Sequence, residues 1–324
     1  MTPPIPAVDV PPQPWTGRFD GDDASHRRWW QAMVPYDGGA EAGAGGEGAV
    51  HTPKPAVLLG FASDEGVRRN KGRTGAAAAP AAIRQALGPL AFHLDRTVAD
   101  AGDVVVSGGA LEAGQERAGR AVAALLDAGQ LPAVLGGGHE TAYASYLGVS
   151  SSAAVQGGQR LGILNLDAHF DLRDEPAPSS GTPFLQMARA EAAAGRDFRY
   201  AVVGISEPNN TRALFDTARE LGVQYLPDED CGAERVRDFV AGFLAGIDVL
   251  YLTIDLDVLP AAVAPGVSAP AAFGVPLPVI NAVCRQVAGS GKLLHLDIAE
   301  LNPEFDIDGR TARVAARLLD TLLR

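Results

Sequence analysis

The chain has 324 residues, 47% hydrophobic and 20% charged, which is enough for one large or two ordinary domains and too apolar for a disordered chain. Its 27 Lys and Arg against 39 Asp and Glu leave a formal charge of -12, the wrong sign for a protein that neutralises phosphates, so no nucleic-acid partner is expected. Cys231 and Cys284 are too few and too far apart for a disulfide framework or a thiolate metal site, and no uncharged run approaches the roughly 18 residues of a membrane span. A cytoplasmic location and no membrane partner are therefore expected.

Residues 1–55 read as an irregular extension, Pro-rich from Pro3 to Pro14 and rich in Gly, Ala and Glu from Gly38 to Gly48. Only Trp29, Trp30 and Met33 suggest a helix able to dock. From Pro55 onward, short apolar runs alternate with longer Ala- and Leu-rich segments, the rhythm of βαβ units. Strands are predicted at Ala56–Phe61, Val104–Val106, Ala133–Leu135, Leu161–Leu166, Tyr200–Val203, Val223–Leu226, Val249–Ile254 and Leu293–Ile298. Helices are predicted at Ala81–Leu87, Gly114–Ala128, Phe184–Ala194, Thr211–Leu221, Glu234–Leu244, Pro278–Val287 and Arg310–Leu323. Most of the strands are apolar throughout, as in a parallel sheet covered by helices on both faces. The fold class expected is α/β: a single doubly wound, three-layer domain over 56–324, with a mostly parallel sheet of about eight strands.

Three polar clusters sit where predicted strands end, the place where open parallel sheets hold ligands. Gly136-Gly137-Gly138-His139-Glu140 follows the strand ending at Leu135, and its glycines permit a sharp turn with close backbone approach. Asn165-Leu166-Asp167-Ala168-His169-Phe170-Asp171 continues another strand, and alternation would bring Asp167, His169 and Asp171 to one side. Thr253-Ile254-Asp255-Leu256-Asp257 repeats the i, i+2 spacing with two carboxylates. Any one of these has an ordinary explanation as a helix cap or a core hydrogen bond. Taken together, four aspartates and two imidazoles carry a formal charge of -4, which two divalent cations would balance. Oxygen-rich ligands with some imidazole and no thiolate favour Mn²⁺, with Zn²⁺, Co²⁺ and Fe²⁺ left open by spacing alone. Two such ions sharing a water would lower its pKa, which implies hydrolysis.

These three segments resemble the ureohydrolase superfamily of arginases and agmatinases. Further stretches resemble its formimidoylglutamase branch: Asp64 to Arg73, Ser180-Gly181-Thr182-Pro183-Phe184, Leu259-Pro260 through Pro270, Ala299-Glu300-Leu301-Asn302-Pro303, and Phe305 to Arg310, with Pro14-Trp15-Thr16-Gly17-Arg18 near the start. The resemblance implies an arginase-like fold and two Mn²⁺ ions per subunit, with His139, Asp167, Asp171 and Asp255 on one and Asp167, His169, Asp255 and Asp257 on the other. It places Glu300 against a cationic amidine or guanidine, and Asp171 as the group that carries a proton to the leaving amine. Ser180 stands where arginases and agmatinases carry His, which argues against arginase activity. The substrate implied is N-formimidoyl-L-glutamate, hydrolysed to L-glutamate and formamide, in a homo-oligomer.

Such a substrate has two carboxylates, so a chain this acidic must build a local positive patch. The densest basic run, Arg68-Arg69-Asn70-Lys71-Gly72-Arg73, makes Arg68, Arg69 and Arg73 the expected carboxylate contacts, because Arg binds carboxylates bidentately. Ser180, Thr182 and Asn210 are further candidates, Asn210 with a competing reading as a helix cap. Two rival readings are agmatinase or guanidino-acid hydrolase activity, and a catalytically silent, metal-stabilised binding protein.

Overall fold

The computed structural model describes residues 6–38 and 53–324. Among these, nine strands form one sheet: β1 (Val34–Pro35), β2 (Ala56–Ala62), β3 (Val98–Val105), β4 (Leu131–Leu135), β5 (Leu161–Leu166), β6 (Tyr200–Ile205), β7 (Gln224–Pro227), β8 (Val249–Asp255) and β9 (Leu293–Ala299). The helices are α1 (Trp29–Ala32), α2 (Glu65–Arg69), α3 (Ala79–Leu87), α4 (Leu111–Asp127), α5 (Thr141–Ser151), α6 (Ala153–Gln156), α7 (Pro183–Ala193), α8 (Arg212–Glu220), α9 (Ala233–Ala245), α10 (Leu277–Ala288) and α11 (Arg310–Leu322). The strand order is β1-β3-β2-β4-β9-β8-β5-β6-β7, and every adjacent pair is parallel.

Alternation along the strands feeds two cores. On β8, Leu250, Leu252 and Ile254 enter one, while Val249 and Tyr251 enter the other. Helices α3, α9, α10 and α11 cover the first core, and α4, α5, α7 and α8 the second. This produces the three layers that the apolar strands implied.

The structure extends two of the expectations. The predicted strand at Val104–Val106 is the end of a longer β3, whose earlier part carries Asp100 and Asp103. Those acids hid it, and both are bound by Arg84 of α3, with Asp100 also accepting from Trp15 Nε1 at 2.8 Å. Helix α5 had no amphipathic signal because it lacks a polar face. Thr141, Ala142, Ala144, Ser145, Tyr146, Gly148 and Val149 are all buried. It packs closely on α4, where a Cβ on Gly119 would stand 2.7 Å from Leu147 Cβ.

The N-terminal residues contribute to the same body. Trp29 is fully buried in the first core beside Met33, donates Nε1 to Asp320 Oδ1 at 3.1 Å, and precedes β1, the short ninth strand on the sheet edge. The parts of the expected irregular extension at residues 1–5 and 39–52 lie outside the described residues. Both cysteines are free and buried, and no helix among the described residues is long and apolar enough to cross a membrane.

The centre of the sheet carries one titratable group that has no charged role. His295 on β9 is fully buried beside Tyr251, ring centroids 5.2 Å apart, and burial pushes its ring down to about 3. Unfolding frees the ring to bind a proton at any pH between that value and the ordinary histidine range near 6.5. Stability contributed by neutral His295 is therefore present above about pH 6.5 and lost as the pH falls toward 3, at up to about 1.4 kcal/mol per pH unit. Urea titrations at several pH values should show this acid limb, and a His295→Leu variant should have a slope shallower by about one proton.

Candidate metal centre

Four neighbouring strands at the middle of the sheet, β4, β9, β8 and β5, end beside one another. His139 follows β4, Glu300 follows β9, Asp255 ends β8, and Asp167 follows β5. Residues 161 positions apart in sequence are thereby joined by a hydrogen bond: His139 N donates to Glu300 Oε1 at 2.7 Å, while Glu300 N donates to Gly137 O at 2.7 Å.

Local turns aim the side chains. Asp167 Oδ1 accepts from His169 N at 2.7 Å, and Asp255 Oδ1 accepts from Asp257 N at 2.8 Å. In both cases an aspartate folds back on the amide two residues on, so the chain turns and the i and i+2 side chains face the same space. Convergence thus comes from a turn rather than from the extended alternation expected of Asp167, His169 and Asp171. Asp171 lies beyond that turn with φ 49, and Glu300 has φ 69. Two of the four described non-glycine residues with left-handed backbone are therefore at this site, where neighbouring structure holds the strain.

The resulting cluster is tight. His139 Nδ1 lies 3.1 Å from Asp167 Oδ2, 2.9 Å from Asp171 Oδ2 and 3.2 Å from Asp255 Oδ2. His169 Nδ1 lies 3.0 Å from Asp257 Oδ2 and 3.5 Å from Asp167 Oδ1. His139, Asp167, Asp171 and Asp255 offer ligand atoms all within 4.8 Å of one another, as do Asp167, His169 and Asp257. Both groups could hold a cation, and Asp167 belongs to both. A second layer steadies them: Asn165 Nδ2 donates to Asp167 Oδ2 at 2.9 Å and to Tyr200 Oη at 3.0 Å, and Tyr200 Oη donates to Phe170 O at 3.1 Å.

The electrostatics show what the cluster requires. Burial, followed by the charges of Asp257 and Asp167, pushes Asp255 well above the carboxylate range, and burial raises Asp171 and Asp257 as well. Burial would also raise Asp167, but hydrogen bonds from His139 and His169 hold it low. Burial opposes protonation of both imidazoles, yet the surrounding aspartates raise each well above its ordinary value. The acids thus favour positive charge at the positions of both rings. With neutral rings the six side chains carry a negative charge that divalent cations would offset, and oxygen-rich ligands with imidazole suit Mn²⁺.

A cavity of about 210 Å³ opens over the cluster and is lined by Asp171, Glu300, His169, Ser180, Asn70 and Arg173, among others. Glu300 Oε2 is buried without a hydrogen-bond partner among the described residues. Burial and the neighbouring Glu140 push its carboxyl up to about 8. Ser180 Oγ accepts from Asn70 Nδ2 at 3.1 Å.

The structure brings Asn70 and Gly72 of the basic run to this cavity but not its arginines. Arg68 pairs with Glu65 at 2.7 Å, and Arg69 with Glu65 and with Glu112, the latter at 2.6 Å. Arg73 donates Nε to Ser268 O at 3.0 Å and lies 4.1 Å over the Phe305 ring. None of the three lines the cavity, whereas Arg173 does. Its side chain runs past Gly181, where a Cβ would stand 2.7 Å from Arg173 Cδ, and among the described residues it has no ion-pair or side-chain hydrogen-bond partner. No local pattern singles out Arg173, which lies beyond the left-handed turn at Asp171, while the basic run drew attention by density. Thr182 is buried beneath the wall, bonded to Ser179 and Gln186. Asn210 lines the cavity but commits Nδ2 to Ala168 O and Ser206 O and Oδ1 to Phe170 N, bracing the loop of His169 rather than capping α8.

Comparison with known proteins places this site in a family. Residues 54–324 match the arginase family. The chain belongs to that family. It is 60% identical over 309 residues to the formimidoylglutamase of Nocardia farcinica, covering 95% of each chain. Among solved structures it resembles Trypanosoma cruzi formiminoglutamase with Mn²⁺ (TM-score 0.74, 26% identity, 83% of this chain and 92% of that one). It also shares the fold of formimidoylglutamase from Bacillus subtilis (TM-score 0.77, 21% identity, 90% and 89% covered). The single parallel sheet with helices on both faces is the arginase-like α/β fold, with nine strands in place of the expected eight or so.

The glycine loop leading to His139 is the least forgiving part of the site. A Cβ on Gly137 would stand 1.7 Å from Ser63 O, the same carbonyl that accepts from Gly138 N at 2.9 Å. Gly137→Ala should cost at least about 2 kcal/mol in urea unfolding and lower the divalent metal bound per chain, read by elemental analysis.

Proposed function

We propose that this protein hydrolyses N-formimidoyl-L-glutamate to L-glutamate and formamide. His139, Asp167, Asp171 and Asp255 hold one Mn²⁺, and Asp167, His169, Asp255 and Asp257 a second. The observation that carries this reading is the near full-length, 60% identity to a formimidoylglutamase, in a chain whose own cavity lays a free carboxylate oxygen and a free guanidinium side by side with the acid cluster. A substrate with a cationic amidine and two carboxylates needs both.

Two ions held by these residues would supply Lewis acidity that lowers the pKa of water at the site. The remaining work falls to the chain. Glu300 is held by His139 N through Oε1, which leaves Oε2 to accept from the amidinium and orient its carbon. Arg173 presents a two-pronged donor to a glutamate carboxylate, with Asn70 and Ser180 beside it. Asp171 takes the proton released as water adds to the formimidoyl carbon and passes it to the glutamate nitrogen. The C–N bond to glutamate then breaks, releasing formamide and the amine.

Purified protein supplied with Mn²⁺ should turn over N-formimidoylglutamate with kcat/KM at least about 100-fold above that for arginine or agmatine. Faster arginine or agmatine turnover would overturn the assignment. Arg173→Ala should lower kcat/KM for N-formimidoylglutamate by roughly 30- to 150-fold, the loss of about 2–3 kcal/mol of charge-assisted bonding, whereas Arg68→Ala should leave KM unchanged. Asp255→Asn should reduce bound Mn²⁺ to one ion or none per chain.

A further inference from the structure

His139 has its two ring nitrogens facing opposite ways. Nδ1 faces the carboxylate oxygens of Asp171, Asp167 and Asp255, while Nε2 points down into the sheet, 3.1 Å from Thr253 Oγ1. Thr253 Oγ1 donates to Asp297 Oδ1 at 2.6 Å, and Asp297 Oδ2 accepts from Tyr251 Oη. The parallel register of β8 on β9 makes Thr253 and Asp297 direct neighbours, and both are fully buried.

A hydroxyl has a single proton, and Asp297 accepts on both of its oxygens, from Thr253 Oγ1 and from Tyr251 Oη. The Thr253 proton is therefore committed to Asp297, and what Thr253 presents to His139 is a lone pair. Nε2 must then carry the hydrogen, which leaves the lone pair of Nδ1 directed at the carboxylate cluster. The reverse tautomer would leave Nε2 and Thr253 lone pair against lone pair and place a proton where a cation must bind. Among the described residues no equivalent pair stands behind His169, whose ring reaches the cavity.

We propose that Thr253 and Asp297 are positioning residues that set the tautomer of His139 and through it the occupancy of the metal position His139 serves. The proposal rests on the reading of His139 as a metal ligand. Asp297, two residues into the sheet from Ala299 and out of reach of any substrate, then has a purpose for a carboxylate that is otherwise costly to bury.

The test is stepwise Mn²⁺ binding to metal-stripped protein, followed by calorimetry and by the electron paramagnetic resonance spectrum of the loaded form. The parent should take two ions per chain and give the spectrum of a coupled pair. Thr253→Val, which keeps shape and removes the hydroxyl, should weaken one of the two steps by about 10- to 100-fold, leave the other unchanged, and show the signal of an isolated ion at limiting metal. Thr253→Ser should restore parent behaviour, which a packing role for the methyl would not. Asp297→Asn should weaken the same step as Thr253→Val, and it decides the matter if the valine variant does not fold. A parent chain holding fewer than two ions overturns the ligand reading and this proposal with it. A parent with two ions and variants that bind both at parental affinity overturns the proposal alone.

Discussion

Four aspartates packed at the ends of adjacent strands, three of them buried, are the constraint on which the structure turns. Like charges at this spacing in a poorly polarisable interior repel strongly, and without cations the chain tolerates them only by protonating the imidazoles or the carboxylates themselves. Divalent ions relieve that conflict, so the feature that makes the cluster expensive is also what makes it a metal site. The cost is carried by the rest of the domain. Two cores, one on each face of the sheet, hold the strand ends in register whether or not the acids repel.

Around this cluster the polypeptide is shaped by backbone rather than by side-chain bulk. Glycines at 137 and 138 let the His139 loop lie against Ser63 and Glu140, and the left-handed backbone of Asp171 and Glu300 turns their carboxyl groups toward the cavity. Beneath them lies a layer of buried polar groups, including Asn165, Tyr200, Thr253, Asp297 and Asn210, each hydrogen-bonded to a ligand-bearing loop or to another member of the layer. Rigid placement of this kind suits a site that must meet a small molecule without reorganising.

The sequence signals differed in how far they could be followed. The apolar strands were visible because each is buried on both faces and so departs from the polar background. The Asp-x-His and Asp-x-Asp pairs were visible because their chemistry is local: an aspartate turning back on the amide two residues on needs no distant partner. Helix α5 escaped notice because burial on all sides erases the amphipathic period, and the first half of β3 because Asp100 and Asp103 interrupt its apolar pattern. The basic run misled for a physical reason. Arg68 and Arg69 sit within one helical turn of Glu65, and a surface guanidinium takes the nearest carboxylate available, so charge density in sequence is a poor guide to which arginine faces a cavity.

What the sequence determined by itself was the fold class, the strand ends that carry chemistry and the divalent demand of four acids with two imidazoles, because these follow from periodicity, spacing and charge along a single stretch of chain. What only the tertiary structure decided was that β4, β9, β8 and β5 stand side by side, that Arg173 rather than the arginines of the denser basic run borders the cavity, and that Thr253 and Asp297 lie beneath His139. Strand order and cross-strand register are set by the packing of two helical layers onto one sheet, and no local pattern encodes which distant strand will become a neighbour.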